Sequence, residues 1–120
     1  MTKLEMLKGY LESKTRLEKM KRAVMSSIVL TIGDGNVEDA LDILATRITN
    51  ARIKGERVEE WWVSDYKSIQ NLHSLYQRAV QQLEDLLRQI RQECNMPPSV
   101  LDEAETIRRL RQMIVDEMET

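Results

Sequence analysis

A chain of 120 residues in which 42% of positions are hydrophobic and 32% charged has room for one domain, residues 1–120, with one modest core. Its 18 Lys plus Arg against 20 Asp plus Glu leave a formal net charge of −2, which fits neither a uniformly basic nucleic-acid binder nor an acidic solvating tail. Four Gly, two Pro and no Phe leave few turn-makers and little aromatic β character, so the composition predicts long helices.

The turn-makers fall at Gly33-Asp34-Gly35-Asn36, at Gly55 and at Pro97-Pro98. They predict an all-α, elongated antiparallel bundle of two long and two shorter helices, over about 3–32, 37–54, 58–94 and 100–118. In the first helix Leu4, Leu7, Leu11, Leu17, Met20, Val24 and Ile28 form an apolar stripe, broken once where Lys14 takes the position the stripe needs. Tyr10 lies nearby as a bridging ring. The β-branched run before Gly33 reads as helix, since a lone strand would have no partner for its backbone groups.

Asn36 is the expected N-cap of the second helix, and Gly55 the expected left-handed residue beyond its end. Val37, Leu41, Leu44 and Ile48 form its apolar face, with Ala40, Ala45 and Ala51 beside it. The third helix carries the strongest pattern. From Trp62 through Ile69, Leu72, Tyr76, Ala79, Leu83, Leu86 and Ile90 the spacing is a 3.5-residue repeat, the signature of a coiled-coil seam. Leu75, Val80 and Leu87 widen the stripe, so two neighbours are expected. Ser99 and Asp102 read as a capping box for the fourth helix, whose buried face is expected at Val100, Ala104, Ile107, Leu110, Ile114 and Met118. The acids after Val115 disfavour its last turn, which is expected to fray.

From Trp62 to Glu93 the third helix would be about 48 Å long, longer than the roughly 35 Å diameter of a compact chain of this size. Such a rod buries a second apolar stripe most easily against another copy, which predicts a homodimer or higher oligomer with Ile69, Leu72, Tyr76, Leu83, Leu86 and Ile90 at its interface. This long-helix layout is similar to that of small oligomerising proteins of bacteria and phages in general.

No residue set carries chemistry. The single cysteine, Cys94, excludes an internal disulfide and reads as a partly buried small hydrophobe. His73 is the single histidine, with no Glu three residues before it and no second ligand set, and reads as solvated or flank-packed. Asp34, Asn36 and Glu38 alternate as at the start of a calcium loop, but Asp39 stands where Gly is required and Ala45 where a bidentate Glu is required. No catalytic residue, metal or cofactor is expected, and the chain reads as non-enzymatic. Lacking an apolar N-terminal run or a segment near 20 apolar residues long, it is expected to be cytoplasmic, with no membrane partner.

Two features suggest surfaces. Trp61 and Trp62 are adjacent, hence about 100° apart on a helix, so one can anchor the core while the other meets a partner. Residues 1–32 carry seven Lys or Arg against three Glu, whereas residues 36–66 carry four against seven. Lys14, Lys19, Lys21 and Arg22 on the first helix are therefore candidates for contacting a protein partner, in an adaptor, regulator or assembly factor. The alternative is a nucleic-acid-binding accessory or regulatory factor, in which an oligomer multiplies weak basic patches.

Overall fold

The computed structural model describes residues 1–32 and 35–119. The Gly33-Asp34 half of the first expected turn lies outside them. The fold is an all-α helical bundle of four helices: α1 (Lys3–Ile32), α2 (Val37–Ile53), α3 (Glu60–Glu93) and α4 (Glu103–Glu119). Two compact units are built from them. Met1–Leu17 with Ala79–Thr120 forms one, and Glu18–Arg78 the other. α1 and α3 each contribute to both.

In the second unit Val24 and Ile28 of α1, Ala40 and Leu44 of α2, and Ile69 of α3 form the buried cluster, with Val37, Leu41, Trp62, Tyr66, Leu72 and Tyr76 packed against it. Ala40 is fully buried, at the centre of this core rather than beside it. A methyl at that position lets helices approach closely, while Ile28, Leu44 and Ile69 each contribute roughly 1.5–3 kcal/mol of burial. Asn36 caps α2, its side-chain oxygen accepting the Asp39 N–H at 2.9 Å. At the other end Gly55 takes φ +69°, and the Gly55 and Glu56 N–H groups donate to the Arg52 and Ala51 carbonyls. That is a Schellman motif, which satisfies the last carbonyls of the helix.

The first unit departs from the expected apolar stripe. Met6 and Tyr10 are buried, whereas Leu4 and Leu11 are 50% and 43% exposed. The helix is turned by one residue, about 100°, from the leucine row. Met6, Tyr10 and Leu17 make the inward face of α1 in this unit, and Lys14 lies half-buried beside it. Leu83, Leu87 and Ile90 of α3, Cys94 and Val100 after it, and Thr106, Ile107 and Leu110 of α4 are buried in this unit as well.

α3 ends one device earlier than the prolines. Asn95 takes φ 52°, and the Asn95 and Met96 N–H groups donate to the Gln92 and Arg91 carbonyls. It is a second Schellman motif, with Asn in place of Gly. α4 begins at Glu103, later than expected, because Asp102 and not Ser99 is its cap: Asp102 Oδ1 accepts the Glu105 N–H at 2.6 Å. The inward face turns accordingly. Val100, Ile107 and Leu110 are buried as expected and Ile114 half-buried, but Ala104 is exposed and Met118 is 82% exposed, while Thr106 is fully buried. Thr106 is tolerated there because its hydroxyl donates to the Asp102 carbonyl at 2.7 Å and accepts from Arg91 Nε at 2.8 Å. Arg91 Nη2 also donates to the Leu101 carbonyl at 2.7 Å, tying the end of α3 to the connector before α4.

Candidate functional site

The first unit holds an open groove of about 840 Å³ between the first half of α1 and α4. Lys3 pairs with Glu117, and Lys14 with Glu103. Numbers rising on α1 meet numbers falling on α4, so the two segments are antiparallel. At one end of the groove Tyr10 and Lys14, four residues apart and hence on the same side of α1, converge on Glu103 in the first turn of α4. The Tyr10 hydroxyl donates to Glu103 Oε1, and Lys14 Nζ lies 2.8 Å from the same oxygen. Burial raises the pKa of Glu103, but the hydrogen bonds from Lys14 and Tyr10 and the Lys14 charge outweigh it, and the carboxyl rests below its ordinary value. Burial, then the Glu103 carboxylate, pushes the Tyr10 hydroxyl well up. Both groups therefore keep their ordinary charge at neutral pH. The cluster is a clasp between the two helices.

Along α4, Glu105 accepts from Arg108 Nε and Nη2 at 2.9 and 2.7 Å and from Arg109 Nε at 2.8 Å, which lowers its carboxyl pKa to about 2. Arg111 lines the groove beyond them, with Leu11, Ile107 and Val115 as its apolar part.

In the second unit the two tryptophans divide as their spacing requires. Trp62 packs on the core cluster and Trp61 is 47% exposed, the rings meeting edge to face at 6.0 Å. A groove of about 660 Å³ lies between the end of α2 and the start of α3, lined by Ile48, Arg52, Val58 and Lys67 among others. His73 borders a smaller apolar cavity of about 270 Å³ with Val24, Ile28 and Tyr76.

The seam residues Ile69, Leu83 and Ile90 are buried within the chain, and Leu72, Tyr76 and Leu86 are half-buried. Their 3.5-residue repeat packs against helices of the same chain. Lys14 is engaged by Glu103, whereas Lys19, Lys21 and Arg22 are exposed. Cys94 is buried, and burial pushes its thiol pKa up. Glu103 and Arg111 were not legible as groove residues in the sequence. The one local signal is that Tyr10 and Lys14, at i and i+4, place a hydroxyl and a cation on the same side of α1.

Among the described residues no group of His, Cys, Asp and Glu is placed to hold a metal ion, and no helix is long and apolar enough to cross a membrane. No protein-family model, curated protein or solved structure matches this chain.

Proposed function

We propose that this chain is a non-enzymatic helical protein that works by protein–protein association, with itself as a homodimer or higher oligomer and with a protein partner, as an adaptor, regulator or assembly factor. One observation carries the reading. The second unit leaves Met25, Val29, Leu30, Trp61 and Leu75 between 47% and 88% exposed. Large apolar side chains left in water by a folded chain mark association surfaces when they gather on one face. Trp61 and Leu75 lie on the same side of α3, about 21 Å apart, and Trp is the residue type most enriched among interface anchors. A second copy covering that side would give α3 the intermolecular role that its length suggested, through its outer face rather than its seam.

Sedimentation equilibrium on the wild-type chain and on Trp61→Ala tests this. The wild type is expected to associate at micromolar concentration and the variant to weaken association by about tenfold or more. A wild-type monomer at every concentration would remove the self-association half of the reading. A second reading, nucleic-acid binding, draws on the exposure of Lys19, Lys21 and Arg22. It requires a salt-dependent shift of duplex DNA that is lost when those three charges are reversed.

A further inference from the structure

We propose that the groove between the first half of α1 and α4 is a docking site for an acidic amphipathic helix of a partner protein. This goes beyond the Trp61 surface, which belongs to the other unit, and stands without it. The α4 wall places Ala104, Ile107, Arg108, Arg111 and Val115 at successive spacings of three, one, three and four, a single stripe about 16 Å long. That length matches about three turns of a docked helix, whose anchors recur at i, i+4 and i+7. Leu11 and Val115 are 43% and 47% exposed on opposite walls, leaving apolar surface for such anchors to cover.

Charge selects the occupant. Glu103 is taken up by Tyr10 and Lys14, and Glu105 by Arg108 and Arg109, so both acids are already spent within the chain. Arg111 lines the groove with no hydrogen bond or ion pair among the described residues, its charge acting on the neutral Tyr10 hydroxyl. A carboxylate on the incoming helix pairs with it. A phosphate backbone fits less well, since it has no apolar face to cover Leu11, Ile107 and Val115.

The test uses the full chain and a fluorescein-labelled synthetic helix with leucines at i, i+4, i+7 and i+11 and glutamates beside them, read by fluorescence anisotropy. Saturable binding is expected, weakened about tenfold by Arg111→Glu and comparably by Val115→Glu, and weakened by added salt. Trp61→Ala is expected to bind the peptide as the wild type does, which separates this site from the association surface. Circular dichroism of both groove variants confirms that these exposed substitutions leave the fold intact. Absence of saturable binding, indifference to Arg111→Glu, or equal binding of a lysine-for-glutamate peptide or a short DNA duplex would overturn the assignment. So would an oligomer that dissociates on Arg111→Glu, which would make a second copy the occupant.

Discussion

Tyr10, Lys14 and Glu103 show how a half-buried carboxylate stays ionised. Burial alone would raise its pKa, and two donors from one helix turn reverse the sign. A carboxylate whose folded pKa lies below its unfolded value stabilises the fold above that unfolded value, here near 4.5, and the contribution is lost as pH falls through the folded pKa. Tyr10→Phe is expected to cost about 1 kcal/mol at pH 7 by urea denaturation, at the modest end because solvent screens the Glu103 side chain, which is 34% exposed. The difference between wild type and variant should narrow below pH 4.5. Glu105 loses its contribution over a wider range, from 4.5 down to about 2, but its partners Arg108 and Arg109 lie on the same solvent-accessible helix, so that contribution is small. Thr106 makes a different demand. Thr106→Val keeps the shape but leaves Arg91 Nε without its acceptor, an expected loss of about 1–2 kcal/mol in the same assay.

The helices owe their limits to capping chemistry more than to propensity. Asn36 and Asp102 accept backbone N–H groups at two starts, and Gly55 and Asn95 take the left-handed conformation at two ends. Glycine does opposite work at two positions. A Cβ added at Gly9, inside α1, would meet nothing within 4 Å, so Gly9→Ala should stabilise the chain by up to about 1 kcal/mol. At Gly55 space is also open, but φ +69° strains any L side chain, so Gly55→Ala should destabilise by about 1 kcal/mol. Opposite shifts of the urea midpoint at unchanged slope would verify both. Equal signs would mean that steric room rather than backbone conformation governs these sites.

For the whole molecule, each unit has about sixty residues, a size at which a core alone gives marginal stability. Continuous α1 and α3 serve both, so breaking one unit frays helices that the other needs. Both tryptophans belong to the second unit, and their fluorescence therefore reports it selectively, whereas circular dichroism reports all four helices. The two unfolding curves are expected to coincide. Leu44→Ala in one unit and Leu110→Ala in the other, both fully buried, should each cost about 3 kcal/mol and move that shared transition. Separate transitions, each sensitive to only one of the variants, would show that the units fold independently.

The number of helices, their breaks and the caps at Asn36 and Gly55 are local properties, written in residues a few positions apart, and the sequence alone determined them. The division of labour between Trp61 and Trp62 followed from 100° of helix rotation. Partner choice was not local. The 3.5-residue seam of α3 has the same pattern whether it packs on its own chain or on another, and only the tertiary structure spent Ile69, Leu83 and Ile90 inside. α1 offered two apolar rows one residue apart, and packing buried Met6 and Tyr10, whose hydroxyl meets Glu103, 93 residues beyond it. The groove lined by Leu11, Arg111 and Val115 exists only because that choice turned the leucine row outward.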